Sequence, residues 1–131
     1  MNTITVQLGP LKEVAITFSK LGGEEKSGIL VGKKTDSTIA VAYIYRTDNI
    51  KSSPVEFEAE PWQIVQAHVS AEKYGLEVVG IFHTHPSCPA SPSNLDVEGM
   101  RRWPYIWVIA CSKEIRGWVL EEGRIREVKV D

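Results

Sequence analysis

The stretch EVVGIFHTHP, residues 77–86, decides how this sequence folds. Its first six residues are mostly apolar and β-branched, which is typical of a buried strand, and Pro86 ends strand pairing. Alternate side chains of a strand point to the same face, so His83 and His85 can converge on one point at the end of the strand. The sequence therefore predicts a sheet in which this strand carries two histidines at one edge.

Strands and helices alternate outward from this stretch, with no internal repeat or low-complexity tract. Hydrophobic spacing and Gly or Pro breaks predict strands at residues 3–8, 28–33, 38–46, 55–59, 77–85, 105–110, 116–120 and 124–130. The same signals predict helices at 11–21, from 61 to Gly75, and near 93–101. Mixed strands with these helices indicate an α/β sandwich that has one central mixed sheet flanked by helices.

Length and charge narrow the class of protein. The 131 residues fit a single domain, 1–131. With 15 Lys and Arg against 17 Asp and Glu, the formal charge is −2, and no long basic run suggests a nucleic acid or membrane partner. No apolar stretch approaches the ~20 residues of a membrane helix. The first ten residues lack a secretory pattern, so we expect a cytoplasmic protein.

The loop after Pro86 can fold back and bring Asp96 to the point on which the two histidines converge. Two imidazoles and a carboxylate suit Zn²⁺, and three protein ligands leave the fourth position for water, as in catalytic sites. Taken alone, the two histidines could be only the polar end of a core strand. Ser93 and Asp96 also have the spacing of a helix capping box, a role that can coexist with metal binding. The combined spacing favours His83, His85 and Asp96 as metal ligands.

The pattern HTHP at 83–86, followed by SNLD at 93–96, resembles the JAMM motif of the MPN+ zinc metalloproteases. Ten residues separate His85 from Asp96, as in that motif. The upstream pattern of the family, Glu-x-x-Gly-x-Leu-x-Gly, is matched by EKSGILVG at 25–32. The resemblance covers nearly the whole chain and is to the short archaeal and bacterial type. It implies an MPN-type, cytidine-deaminase-like fold with one zinc ion at the end of the His-x-His strand.

The resemblance also implies two catalytic residues. Glu25 would take a proton from water and pass it to the leaving amine, and Ser93 would donate a hydrogen bond to the developing oxyanion. Without the motif, Glu25 would be a solvated surface charge beside Glu24. Thr84 faces away from the metal on a regular strand, so we expect it to pack in the core.

Members of this family cleave isopeptide bonds made by ubiquitin and ubiquitin-like proteins. We therefore expect a zinc-dependent isopeptidase that releases a ubiquitin-like modifier, such as a small archaeal modifier protein, from a target lysine. One alternative is a metallopeptidase that trims the C-terminus of a β-grasp sulfur-carrier protein. Another is a non-catalytic MPN interaction module. The sequence also leaves a homodimer open.

A modifier tail could add as a strand to a sheet edge, and residues 51–59 are one candidate for that edge. Four tryptophans are candidates for an apolar docking surface, although large aromatic residues usually lie in the core. They are Trp62, Trp103, Trp107 and Trp118.

Two cysteines, Cys88 and Cys111, are too few for a disulfide framework. A connection with a helix joins the histidine strand to the strand at 105–110, so the two can be parallel neighbours whose C-terminal ends share one edge. The cysteines would then lie close enough for a disulfide that tethers the metal-site loop. Two alternatives stay open: two buried free thiols, or a structural Cys₂His₂ zinc site with His83 and His85.

Overall fold

The computed structural model of the protein describes residues 4–21, 26–47 and 61–131. The described strands are β1 (Thr5–Gln7), β2 (Ser27–Lys34), β3 (Thr38–Thr47), β4 (Glu77–Thr84), β5 (Ile106–Ala110), β6 (Ile115–Glu121) and β7 (Arg124–Val130). The described helices are α1 (Leu11–Ser19), α2 (Pro61–Lys73) and α3 (Asn94–Arg102).

Each strand and helix that the sequence predicts within the described residues is present, with ends shifted by at most two residues. Gly75, which follows α2, has φ of 69°, a left-handed conformation that ends the helix at little cost for glycine. The strand predicted at 55–59 and the candidate edge at 51–59 lie outside the described residues. None of the three described helices has the length and apolar character needed to cross a membrane.

The strands form one sheet in the order β1-β3-β2-β4-β5-β6-β7, which closes into a barrel because β1 also pairs with β7. β1 runs parallel to β3 and β7, and β4 runs parallel to β5, so the sheet is mixed as predicted. The sandwich predicted from the sequence did not include this closure. The closing bonds are made by backbone groups, among them the Asp131 N–H that donates to the Val6 carbonyl, and hydrophobic spacing does not reveal such partners.

The two faces of the sheet bury separate apolar clusters. Alternate residues of β5 show the division, since Ile106 and Val108 join the cluster that contains Ala15 of α1. Trp107, between them, joins the cluster that contains residues of α2 and α3. The histidine face of β4 therefore lies on the side covered by α2 and α3.

Helix α3 approaches the sheet closely at Gly99. A Cβ at this position would lie 2.6 Å from Cη2 of Trp107, so only glycine fits without a shift. The indole N–H of Trp107 donates to the Trp103 carbonyl at the end of the same helix, at 3.0 Å. Trp107 thus holds the C-terminal half of α3 against β5.

Candidate metal centre

The three side chains predicted as metal ligands meet at the C-terminal end of β4. His83 lies within β4, His85 follows the strand, and Asp96 lies in the first turn of α3. Each offers one ligand atom, and these atoms all lie within 4.8 Å of one another. His83 and Asp96 are buried, whereas His85 is partly exposed, so the group borders solvent at His85.

The sheet positions the backbone of both histidines. His83 lies between Ser27 of β2 and Ile109 of β5, which pair with β4 on either side. The His85 N–H donates to the Ala110 carbonyl at 2.8 Å, which continues the pairing one residue beyond the strand. The His83 ring also packs edge-on against Trp107, with ring centroids 5.4 Å apart. The two histidines therefore enter the site from a rigid central strand.

A capping box brings Asp96 to the histidines. The Asp96 N–H donates to Ser93 Oγ at 3.1 Å, and the Ser93 N–H donates to Asp96 Oδ2 at 2.8 Å. The same carboxylate faces the site, with Oδ2 2.9 Å from His85 Nε2 and Oδ1 3.4 Å from His83 Nε2. Asp96 thus caps the helix and belongs to the candidate ligand set at once.

The surroundings of Asp96 favour its charged form. Burial alone would raise the pKa of this carboxyl group. The hydrogen bond with His85, the electrostatic interaction with His83 and the hydrogen bond from the Ser93 N–H together outweigh burial and hold the Asp96 pKa below its ordinary value. A carboxylate that stays ionised is the form that binds a cation.

His85 has the orientation that a metal ligand needs. Its Nδ1 lies 3.3 Å from the carbonyl oxygen of Pro89, which can only accept, so this contact favours the tautomer with the hydrogen on Nδ1. Nε2 is then an acceptor that faces Asp96 Oδ2 at 2.9 Å. At this distance the two atoms share a cation, either a proton, as in the hydrogen bond that lowers the Asp96 pKa, or a metal ion that takes its place. The donor set of two imidazoles and a carboxylate fits Zn²⁺ with an open fourth position.

Cys88 and Cys111 are joined to each other by a disulfide in the structure, with their Cα atoms 5.3 Å apart. The parallel pairing of β4 with β5 brings them together at the same edge of the sheet. Neither sulfur then offers a thiolate, which excludes the Cys₂His₂ arrangement from this structure. The disulfide instead connects the loop after His85 to the end of β5.

Of the two predicted catalytic residues, Ser93 lies within the described residues. Ser93 is half-buried, and its Oγ accepts the Asp96 N–H while its own O–H hydrogen stays available for donation. Glu25 lies outside the described residues.

Thr84 does more than the packing role expected from the sequence. It is buried, but its Oγ1 accepts the Lys26 N–H and its N–H donates to the Lys26 carbonyl, both at 2.9 Å. Lys26 directly follows Glu25 in the sequence. No local pattern reveals this contact, because the two residues are 58 positions apart.

The tryptophans are mainly structural. Trp107 is buried, Trp103 and Trp118 are partly buried, and Trp62 on α2 is 55% exposed. The indole N–H of Trp118 donates to the Ala90 carbonyl at 2.9 Å, which places it under the loop after His85. Only Trp62 of the four is well placed to meet a partner.

Sequence comparison with known proteins identifies the family of this chain. A model of prokaryotic homologs of the JAB domain matches residues 19–121. A desampylase of Pyrococcus furiosus is 46% identical over 108 residues, 81% of this chain and 74% of that protein. A desampylase of Haloferax volcanii is 31% identical, over 82% of this chain and 78% of that protein. A probable TtuB-protein conjugate cleaving protease of Thermus thermophilus is 28% identical, over 91% and 77%.

Solved structures share the fold. A protein from Desulfitobacterium hafniense superposes with a TM-score of 0.83 at 23% identity, covering 98% of this chain and 92% of that one. One from Salinibacter ruber gives 0.67 at 23% identity, covering 99% and 90%. The family model spans the strand and helix that carry His83, His85 and Asp96. The chain therefore belongs to the family of prokaryotic JAB-domain proteins.

Proposed function

We propose that this protein is a zinc-dependent isopeptidase. Its reaction hydrolyses the bond between the C-terminus of a ubiquitin-like modifier, such as a small archaeal modifier protein, and a lysine of a target protein. The observation that carries the proposal is the convergence of His83, His85 and Asp96 within 4.8 Å. The names of the relatives, desampylase and TtuB-protein conjugate cleaving protease, support this class of substrate.

In this proposal His83, His85 and Asp96 hold one zinc ion. Zinc with three protein ligands keeps a position for water and lowers the pKa of that water to about 7. The ionised Asp96 carboxylate supplies the negative ligand, and the Pro89 carbonyl keeps the His85 Nε2 lone pair turned toward the site.

Glu25 is the proposed general base and acid. It accepts a proton from the attacking water and donates it to the lysine amine as the C–N bond breaks. The Glu-x-x-Gly register at 25–28 supports Glu25 over Glu24, and the two bonds between Thr84 and Lys26 tie the residue after Glu25 to the histidine strand.

Ser93 is the proposed oxyanion donor. Its hydroxyl already accepts the Asp96 N–H, which orients Oγ and leaves the O–H hydrogen for the substrate. A single oxyanion donor typically contributes ~10²–10³ in kcat, so Ser93→Ala should slow turnover by about that factor.

Cleavage of two matched substrates tests the proposal. One is a lysine-linked modifier conjugate, and the other is a modifier precursor with a C-terminal extension on a peptide bond. The proposal expects faster cleavage of the conjugate, with Glu25→Gln inactive and Glu24→Gln active. Preferential cleavage of the extended precursor would indicate trimming, and binding without cleavage would indicate an interaction module. Loss of activity in Glu24→Gln alone would move the catalytic role to Glu24.

A further inference from the structure

The loop that joins His85 to α3 is held by side chains from a distant part of the chain. Its central residue, Ala90, is completely buried, and both of its backbone groups are bonded. The Ala90 N–H donates to Glu114 Oε2 at 2.8 Å, and its carbonyl accepts the Trp118 indole N–H at 2.9 Å. Glu114 lies in the turn before β6, and Trp118 lies within β6.

The Pro89 carbonyl and the Ala90 N–H belong to the same planar peptide unit. A bond at one end of the unit therefore fixes the direction of the other end. Glu114 holds the N–H end at 2.8 Å, and the carbonyl end faces His85 Nδ1 at 3.3 Å. Glu114 and His85 are thus connected through one rigid peptide group.

Arg116 contacts both the Glu114 carboxylate and the loop. Its Nη1 lies 3.8 Å from Glu114 Oε2 and donates to Ser91 Oγ at 3.1 Å. Its guanidinium lies over the Trp118 ring, 4.6 Å from the centroid. The Glu114 side chain is itself 38% exposed, so its contact with the loop is not a requirement of core packing.

We propose that Glu114 is a positioning residue for the metal centre. By holding the Pro89–Ala90 peptide it directs the Pro89 carbonyl at His85, fixes the hydrogen on Nδ1 and leaves Nε2 to bind the metal. A carbonyl that orients a metal-binding histidine in this way raises affinity without touching the metal. The inference rests on the proposed zinc site, and it assigns a role to the turn between β5 and β6.

Glu114→Ala and Glu114→Gln form the test pair. Alanine removes the acceptor for the Ala90 N–H, whereas the glutamine amide oxygen can still accept it. Glu127→Ala is the matched control, because it removes another partner of Arg116 without touching the loop. Each variant is titrated with zinc against a chromophoric chelator, and the His85 tautomer is determined in metal-free protein by long-range ¹H–¹⁵N NMR.

Glu114→Ala should bind zinc about 10-fold more weakly, the lower end of the loss for a direct partner of a ligand, because Glu114 acts through a peptide group. It should also show a mixture of His85 tautomers. Glu114→Gln and Glu127→Ala should keep the wild-type affinity and the Nδ1–H form. If Glu114→Ala does not fold, Glu114→Asp replaces it, because the shorter side chain withdraws the carboxylate and should weaken zinc binding in the same direction.

Wild-type zinc affinity together with a pure Nδ1–H tautomer in the Glu114→Ala or Glu114→Asp variant would overturn the inference. A wild-type protein that binds no zinc would contradict the proposed function instead. The tautomer comparison in metal-free protein would still decide whether Glu114 orients His85.

Discussion

The two histidines of the metal centre lie in contrasting surroundings. His83 is completely buried within β4, paired on both sides and packed against Trp107. The His85 side chain is 13% exposed, lies beyond the strand and has its ring oriented by the Pro89 carbonyl. The sheet therefore positions His83, which we call the sheet half of the site. The loop after His85, which is held by distant side chains, orients the His85 ring, and we call this the loop half. Variants of the two halves should therefore differ in how strongly they change folding stability and zinc binding.

The largest effect is expected from the ligands themselves. His83→Ala and His85→Ala should both reduce zinc from about one ion per chain to none and abolish cleavage. In metal-free protein His83→Ala should lower stability by about 2 kcal/mol, because it leaves a cavity beside Trp107, and His85→Ala should lower it less, because it removes a partly exposed ring. Metal analysis and thermal unfolding measure the two effects. Equal stability losses would contradict the contrast, and His68→Ala, at an exposed position of α2, should change neither property.

The loop half depends on its covalent tether. Cys88→Ser opens a disulfide between residues 23 positions apart, and the chain-entropy estimate for such a loop is about 3 kcal/mol of stability. Thermal unfolding should show this loss, while zinc binding is weakened rather than lost. Ser87→Ala, at the exposed neighbouring position, is the control. An unchanged melting temperature in Cys88→Ser would show that the disulfide does not stabilise the loop.

The position of α3 relative to the sheet is the next point to test. Gly99→Ala places a methyl group 2.6 Å from Trp107 and should cost about 1–3 kcal/mol through overpacking. Because α3 carries Asp96, zinc affinity should fall as well. Glu98→Ala, one residue earlier on the exposed face, should leave both quantities unchanged. Wild-type zinc affinity in a destabilised Gly99→Ala would mean that the helix position does not control the ligand.

The smallest effect on stability is expected at Thr84. Thr84→Val removes the acceptor of the Lys26 N–H and should cost about 1 kcal/mol, whereas Thr84→Ser keeps the hydroxyl. Turnover should fall in Thr84→Val with zinc affinity intact, because the bond holds the residue after Glu25 and not a metal ligand. Steady-state kinetics with a zinc titration separates the two. A loss of zinc in Thr84→Val would show instead that Thr84 supports the metal ligands.

The candidate metal ligands could be predicted from the sequence because their signals are local. Alternation places His83 and His85 together, and the Ser93-x-x-Asp96 spacing marks the capping box that the structure contains. The supports of the loop half could not be predicted in the same way. Glu114 meets the Ala90 N–H across 24 residues, and a backbone donor has no sequence signature.

The closure of the barrel has no sequence signal for the same physical reason. β1 has three residues, and its pairing with both β3 and β7 depends on backbone groups that any sequence carries. The parallel pairing of β4 with β5 could be predicted, since a long connection with a helix between two apolar strands favours it.

Removing and restoring the metal tests the central claim most directly. Protein treated with a chelator and dialysed should not cleave a lysine-linked modifier conjugate. Addition of about one equivalent of Zn²⁺ should restore cleavage to the wild-type protein and not to His83→Ala. Full cleavage by protein shown to be free of metal would contradict the assignment of His83, His85 and Asp96 as a catalytic zinc site.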